Sequence, residues 1–217
     1  MQSRRQSRRL WRRTPKQDRA RDTIEVILHA TAQILDQKGA AALNTNAIAE
    51  RAGISVGTLY EYFPDKEAVL VALARRQLAR DRAIMLDVIS APGGGSFPER
   101  VRRAIRVLIG LHAENESVRK VTMATHLAHG LWDEHAEPVR AVADLLAQVE
   151  GALPRNVPLS QTSIFVLTRA VVGVVRAAMR EQPELLRAKE LEDELVNLVE
   201  GFLEAGLDRN KRSKARR

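Results

Sequence analysis

Apolar residues recur at intervals of three and four along nearly the whole chain, and hardly any segment alternates apolar and polar residues as a strand does. The pattern therefore predicts an all-α protein of roughly nine helices, separated by short segments rich in glycine, proline and polar residues. The predicted helices cover residues 24–38, 45–52, 56–63, 65–90, 101–111, 117–129, 139–151, 160–181 and 188–207. The sequence APGGGS at 91–96 predicts a loop, and LWDEHAEP at 131–138 predicts a second break.

The second and third predicted helices are joined by only three residues. Gly53 suits the left-handed conformation that ends a helix, and Ser55 is a favourable N-cap for the helix that follows. Two short helices joined so tightly form a helix-turn-helix pattern, in which the second helix enters the major groove of DNA. Here that helix begins with four small residues, SVGT at 55–58, which favour close approach to the bases.

Both tyrosines of the chain, Tyr60 and Tyr62, lie on this third helix, and Lys66 follows it. Hydroxyl and ammonium groups in this position suit the phosphates that flank a recognition helix. Asn46 and Arg51 on the second helix are further candidates for DNA contact. The alternative interpretation is that the tyrosines only cover a small core.

The segment NTNAIAERAGISVGTLYEYFPDKEAVLVAL, residues 44–73, closely resembles the DNA-binding region of the TetR family of bacterial transcriptional repressors. The matching features are Ile48-Ala49, Ala52-Gly53-Ile54-Ser55, Gly57-Thr58-Leu59-Tyr60, Tyr62-Phe63 and Lys66-Glu67. The resemblance covers residues 23–73, and the rest of the chain agrees with the family only in length and helical character. It implies a homodimer whose protomers each have a three-helix DNA-binding head and a helical effector-binding and dimerisation domain. We expect the head at 22–67 and the second domain at 68–208.

The resemblance also implies which residues bind the operator, a double-stranded DNA site. Base or groove contacts carried over by position fall on Asn46, Val56, Gly57, Thr58 and Tyr60. Phosphate contacts carried over in the same way fall on Thr45, Tyr62 and Lys66, and the helix-turn-helix pattern itself adds Arg51 and Ser55. Residue 56 is often polar or basic in the family, so valine there suggests apolar contact with a thymine methyl or little base reading.

The net charge of +8 is distributed unevenly. Residues 1–21 carry a net charge of +8 and residues 209–217 a net charge of +6, whereas 22–208 carry −6. The predicted head holds three basic and seven acidic residues, so it is poorly equipped to neutralise phosphates. We therefore expect the basic arm, residues 1–21, to supply much of the DNA affinity and to enter the minor groove beside the operator. The predicted contacts are Arg4, Arg5, Arg8, Arg9, Arg12 and Arg13. A role in solubility is the alternative for the arm, and also for the basic tail at 209–217.

Two predicted helices near the end of the chain favour dimerisation. Residues 160–181 are apolar almost all round, and 188–207 carry one apolar stripe. A helix of the first kind must be buried on every side, so two such helices from each protomer predict a four-helix bundle. The alternative is that 160–181 is only the central helix of its own domain. The predicted interface residues are Val171, Gly173, Val174, Leu191, Leu195, Leu198 and Phe202.

A regulator of this kind also needs a pocket for a small-molecule effector, lined by apolar side chains with a few polar groups among them. Candidate lining residues lie on several of the predicted helices: Leu108, His112, Met123, His126, Leu127, Trp132, Phe165 and Arg169. Because only 4% of the residues are aromatic, we expect a mostly aliphatic pocket and a lipophilic effector.

Other classes of chemistry are disfavoured. The chain has no cysteine, and His126, His129, His135 and Asp133 are divided by a predicted break, so neither a metal site nor another cofactor is expected. We find no glycine-rich phosphate loop between a strand and a helix, no HExxH and no GxSxG, which argues against an enzyme. No apolar run was expected to be long enough for a membrane span, and the first residues lack the apolar core of a secretory signal. We expect a cytoplasmic, nucleoid-associated bacterial protein without a membrane partner.

The main alternative within DNA binding is an architectural protein that uses its basic termini without an operator or an effector. It would coat DNA diffusely, whereas a dimeric repressor protects a short pseudo-palindrome.

Overall fold

A computed structural model describes residues 18–91, 95–148 and 160–214, and the arm residues Arg4 to Arg13 lie outside these ranges. The described residues contain helices and no strands, which confirms the predicted all-α fold. The nine α-helices are α1 (Asp18–Lys38), α2 (Thr45–Ala52), α3 (Val56–Tyr62), α4 (Lys66–Ser90), α5 (Phe97–Ala113), α6 (Glu116–Ala128), α7 (Trp132–Gln148), α8 (Gln161–Glu181) and α9 (Lys189–Lys214). Short 3-10 turns at Ala40–Ala42 and Pro183–Arg187 precede α2 and α9.

The chain divides into two compact units. Unit 1 contains the residues up to Gln77 together with Ser117–Trp132, and unit 2 contains Leu78–Glu116 and Asp133–Arg217. The predicted boundary between residues 67 and 68 therefore does not coincide with the division between compact units, which falls within α4.

Unit 1 has one apolar core, built from α1, α2, α3, the first half of α4 and the start of α6. Ile27, Ile48, Leu59 and Phe63 are completely buried in it, and Val118 of α6 belongs to the same cluster. Side chains at the edge of this core join helices in pairs. The Thr122 hydroxyl of α6 lies 2.8 Å from Oε1 of Gln77 in α4, and Arg76 of α4 forms an ion pair of 2.8 Å with Glu25 of α1.

Unit 2 is organised around α8. One face of α8 carries Ile164, Val171 and Val175, which are buried where α8 packs against α5 and the turn at Pro183–Arg187. Helix α9 packs against both α5 and α8, and contributes Leu195 and Val199 to this core.

Several helix boundaries differ from the predictions, and two of the differences concern segments expected to lie outside helices. The predicted break at 131–138 is wrong, because α7 begins at Trp132 and contains Pro138. Helix α6 ends in a tight turn at Gly130, which has a φ of 71°, and the backbone N–H of Leu131 bonds to the His126 carbonyl. This turn needs so few residues that α7 starts within the segment expected to be a loop. At the other end of the chain, α9 continues past residue 207 to Lys214, since no glycine or proline interrupts this lysine- and arginine-rich stretch.

The expectation that no apolar run is long enough for a membrane span is also wrong. Helix α8 has 21 residues and is long and apolar enough to cross a membrane by length and composition alone. The core helix of a soluble protein has the same properties, and α8 packs one face into the core of unit 2. The length of α8 is therefore weak grounds for a membrane.

A cluster of charges joins α5 to α9 in unit 2. Arg106 binds the Glu192 carboxylate through Nε at 2.9 Å and Nη2 at 2.8 Å. Arg102 bonds to the same carboxylate at 3.1 Å and to Asp193. The hydrogen bonds from Arg106 lower the pKa of Glu192 more than its partial burial raises it, and Arg102 acts in the same direction as Arg106.

We expect Glu192→Gln to lower the free energy of unfolding by about 1–2 kcal/mol near neutral pH, because a charge-assisted bidentate contact is lost. A carboxylate whose pKa is lowered by folding stabilises the protein above its unfolded pKa, and this stabilisation is lost as the pH falls through the folded pKa. The difference between variant and wild type should therefore shrink on acidification, as measured by urea unfolding at several pH values. Glu190→Gln, at an exposed position in the first turn of α9, is the control. A difference that stays constant down to the pH of acid unfolding would contradict this account.

Candidate nucleic-acid interface

Helices α2 and α3 form the predicted helix-turn-helix, and side chains cap both of them. The Asn44 carboxamide accepts a hydrogen bond of 2.9 Å from the backbone N–H of Ala47 at the start of α2. Gly53 ends α2 with a φ of 68°, a conformation that glycine adopts without strain. Ser55 then caps α3, since its hydroxyl accepts a hydrogen bond of 2.9 Å from the Thr58 backbone N–H. The turn is therefore determined by local sequence.

The inner face of α3 is fixed to the core of unit 1. Leu59 and the next residue after the helix, Phe63, have no exposed surface, and Val56 and Tyr62 pack against the same core while remaining half-buried. Val56 is thus occupied partly by packing, which leaves less of its side chain for a thymine methyl. This packing sets the orientation of α3 and leaves its other face to solvent.

Four hydroxyl groups on the outer edge of α2 and α3 are linked in pairs. The hydroxyls of Thr45 and Tyr60 lie 3.2 Å apart and share a hydrogen bond between the two helices. The hydroxyls of Ser55 and Thr58 lie 2.9 Å apart at the start of α3. The structure therefore brings together Thr45 and Tyr60, which were predicted separately as a phosphate contact and a groove contact.

Gly57 is exposed in the first turn of α3, and none of the described residues requires a glycine there. A Cβ atom added there would meet only the Ser55 hydroxyl, at an ordinary 3.6 Å, and the φ angle is not positive. Alanine is more favourable than glycine inside a helix by roughly 0.5–1 kcal/mol. Packing within the described part of the protomer therefore does not account for a glycine at this position.

Arg51, which was predicted to contact DNA, is held by α1 in this structure. Its Nε donates to Oε1 of Gln33 at 2.7 Å, and its Nη2 lies 3.1 Å from Oε1 of Gln37. Both glutamines belong to α1, so Arg51 connects the last turn of α2 to α1. The sequence pattern did not single out these glutamines, since their role depends on how α1 and α2 pack.

Asn46 and Lys66 are exposed, Asn46 on α2 and Lys66 at the start of α4. The Asp65 carboxylate accepts a hydrogen bond of 2.8 Å from the Ala68 backbone N–H, so Lys66 occupies the first turn of a capped helix. Of the three basic residues between 22 and 67, Lys38 lies at the end of α1 and Arg51 is engaged by glutamines. The surface of the helix-turn-helix itself thus carries little positive charge.

The eight candidate effector contacts divide equally between the two units. In unit 2, Leu108 and His112 are buried, and the His112 Nδ1 lies 2.9 Å from the Leu108 carbonyl, while Phe165 is 56% exposed beside the half-buried Arg169. In unit 1, His126 is completely buried and Trp132 is 63% exposed, while Met123 and Leu127 are half-buried. Their role in effector binding remains a prediction.

The histidines considered for a metal are differently placed. His126 is completely buried whereas His129 is exposed, and the His135 side chain lies outside the described residues. In the ranges that the structure describes, no three metal-ligating side chains are grouped together.

The predicted dimer residues fall into two groups. Val171, Leu191 and Leu195 are at most 9% exposed and face the core of their own protomer, so they are not available to a second subunit. Val174 and Leu198 are 41% and 40% exposed, Gly173 is exposed and Phe202 is half-buried. Burial on one face of each helix explains the difference, because a sequence stripe does not say which neighbour covers it.

Comparison with known proteins agrees with the helix-turn-helix geometry. Residues 27–73 match the model of the bacterial regulatory proteins of the tetR family, and residues 96–203 match that of the tetracyclin repressor-like C-terminal domain. Together the two models cover well over half of the chain.

Individual relatives give the same result. The chain is 26% identical to the HTH-type transcriptional regulator EthR of Mycobacterium tuberculosis over 185 residues, which cover 82% of this chain and 85% of EthR. It is 43% identical over 60 residues to the HTH-type transcriptional repressor KstR of Mycolicibacterium smegmatis, which covers 28% of this chain and 29% of KstR.

Solved structures show the same fold. A TetR-family regulator from Mesorhizobium loti superposes with a TM-score of 0.65 at 18% identity, covering 87% of this chain and 98% of that chain. The fatty acid degradation regulator FadR from Bacillus halodurans superposes with a TM-score of 0.57, also at 18% identity, covering 84% of this chain and 97% of FadR. With both domain models matched along its length, the chain belongs to the TetR family of bacterial regulatory proteins and is a DNA-binding transcriptional regulator.

Proposed function

We propose that the protein is a cytoplasmic, nucleoid-associated repressor that binds a pseudo-palindromic operator as a homodimer and leaves it when a small molecule binds. Each protomer presents α3 to one major groove, with Thr45, Asn46, Gly57, Thr58 and Tyr60 nearest the DNA. It acts through binding equilibria alone, without catalysing a reaction.

The observation that carries this proposal is the exposed edge of α3 around Gly57. Leu59 and Phe63, which are completely buried, fix the inner face of the helix to the core. On the exposed face, Gly57 has no side chain and leaves room for a methyl group. A rigid helix with a bare first turn is suited to close approach to base edges, because a recognition helix contacts them with its N-terminal residues.

Two further glycines support dimerisation through α8 and α9. Gly173 and Gly201 are exposed in the middle of these helices, and an added Cβ atom would meet nothing within 4 Å at either. Val174 and Leu198 are exposed beside them on the same helices. Small residues on an exposed helix face permit close packing of a second helix, which supports a four-helix bundle made by two protomers. Gly201 was not singled out from the sequence.

We expect Val174→Glu and Leu198→Glu each to weaken the dimer by at least a factor of about 100, because an unpaired carboxylate buried between helices costs several kcal/mol. Sedimentation velocity over a range of concentrations measures the effect. Val26→Glu is the control, since Val26 is exposed to a similar extent, 45%, on α1 of unit 1. Unchanged dimers in both variants would remove α8 and α9 as the contact surface.

Release from DNA follows from differential affinity. A small molecule that binds more tightly to the protein off the operator than to the protein on it weakens DNA binding by that difference in free energy. We assign the effector to unit 2, which contains the candidate contacts Leu108, His112, Phe165 and Arg169.

The test is selection of the bound sequences from random duplexes, followed by footprinting of the selected site. We expect a short protected site with two related half-sites about one helical turn apart, or a multiple of that distance. Selection without a consensus, together with diffuse protection that disappears with added salt, would instead support an architectural protein.

A further inference from the structure

Arg169 on α8 is a partly buried cation in unit 2. Its side chain is half-buried, and its Nη1 atom is completely buried without a hydrogen-bond acceptor among the residues that the structure describes. The guanidinium lies 5.0 Å from the centre of the Phe165 ring, one helical turn away. This ring supports the guanidinium plane but provides no negative charge.

A second cation, Arg140, adds to the uncompensated positive charge around Arg169. Burial lowers the pKa of Arg169, and the charge of Arg140 on α7 lowers it further. Arg140 binds the backbone carbonyl of Asp133 at 2.7 Å and its carboxylate at 3.3 Å, and that carboxylate is 98% exposed. The carboxylate that Arg140 binds is therefore directed into water.

Two other arginines of unit 2, which join α5 to α9, are paired with carboxylates. Arg102 and Arg106 are both neutralised by carboxylates of α9, and Glu192 is only 12% exposed. A partly buried guanidinium without a carboxylate destabilises the fold, because an uncompensated buried donor retains its desolvation cost. Binding sites commonly lower the stability of the ligand-free protein in this way.

We propose that Arg169 binds the anionic group of the effector, a small organic anion such as a carboxylate, with Arg140 adding charge and the Phe165 face contacting the ligand's apolar body. The planar fork of arginine suits a carboxylate held by two parallel hydrogen bonds. This inference rests on the proposed effector-regulated function and narrows the expected lipophilic effector to an amphipathic anion.

The experiment compares the full chain with Arg169→Met and with Arg180→Met, an exposed arginine of the same helix that is paired with Glu181. The probes are decanoate and 2-naphthoate, each with its uncharged counterpart, decanol and 2-naphthol. Melting temperature is measured without and with each probe, and affinity by calorimetry.

We expect both carboxylates to raise the melting temperature of the wild type and of Arg180→Met, with the alcohols at least tenfold weaker, as charge-assisted hydrogen bonds of about 1.5–3 kcal/mol imply. Arg169→Met should bind the carboxylates no better than the alcohols. Without a probe it should melt at the wild-type temperature or up to about 3 °C above it, because an uncompensated cation has been removed.

Three results would overturn the proposal. These are an Arg169→Met variant that melts several degrees below the wild type without a probe, equal affinity of the wild type for carboxylates and alcohols, or no binding of either carboxylate by the wild type below about 1 mM. The first would make Arg169 a structural residue. Loss of the operator footprint in the wild type is a separate outcome, which would contradict the repressor function itself.

Discussion

Gly57→Ala should make the protein more stable and at the same time a poorer DNA-binding protein. The structure leaves room for a methyl group at this position, so the variant should gain about 0.5–1 kcal/mol from the higher helix propensity of alanine. On the operator the same methyl group would lie in the first turn of the recognition helix, where it separates the helix from the base edges. We expect operator affinity to fall about tenfold to a hundredfold, the usual effect of one misfit at a protein–DNA contact.

Thermal unfolding and a gel-shift titration of the selected operator measure the two effects independently. Because stability rises, partial unfolding cannot account for weaker binding. Gly110→Ala is the matched control: Gly110 is also helical with open space around it, but it belongs to α5 of unit 2. Full operator affinity in Gly57→Ala would show that α3 does not approach the bases at this residue.

Deletion of residues 2–17 should weaken operator binding and flatten its dependence on salt. The deleted segment holds seven basic residues and no acidic one, and it ends before α1 begins at Asp18. Each lost phosphate contact should reduce the slope of log K against log salt by about 0.9. If four or five of the seven contact phosphates, affinity at low salt should fall by about two orders of magnitude or more.

A charge-only variant separates the arm's charge from its length. Replacing Arg4, Arg5, Arg8, Arg9, Arg12 and Arg13 by glutamine should reproduce most of the loss, since the effect is assigned to phosphate neutralisation. The sequence preference found by selection should change less than the affinity. An unchanged salt slope in the deletion would exclude the arm from the interface and leave the low positive charge of the helix-turn-helix unexplained.

Local chemistry determined what the sequence predicted well. Gly53 and Ser55 are positions where a backbone conformation favours a particular residue type, and both lie where the helix-turn-helix pattern places them. The alternative that Tyr60 and Tyr62 merely cover a core agrees with the position of Tyr62, which packs against the core, but not with that of Tyr60, which is exposed. The spacing of apolar residues in the sequence does not show which of two tyrosines on the same helical turn faces the core.

Predictions that depend on packing partners were less reliable. Arg51 looked like a DNA contact because it is basic and lies on α2, yet it is held by two glutamines of α1 that are far away in sequence. Leu191 and Leu195 formed an apolar stripe that fitted a dimer, yet they fill the protomer's own core. The break expected at 131–138 was wrong for a different reason. A proline in the second turn of a helix does not prevent the helix from starting earlier.

The hydrogen bond between Thr45 and Tyr60 has a consequence for how the DNA contacts are counted. Two hydroxyl groups carry two hydrogens, and the bond across the 3.2 Å between them uses one. The pair can therefore donate a single hydrogen to a phosphate oxygen, whichever residue supplies it. Thr45 and Tyr60 form one donor distributed over two helices, and the operator contact they make depends on the spacing of α2 and α3 as much as on either side chain.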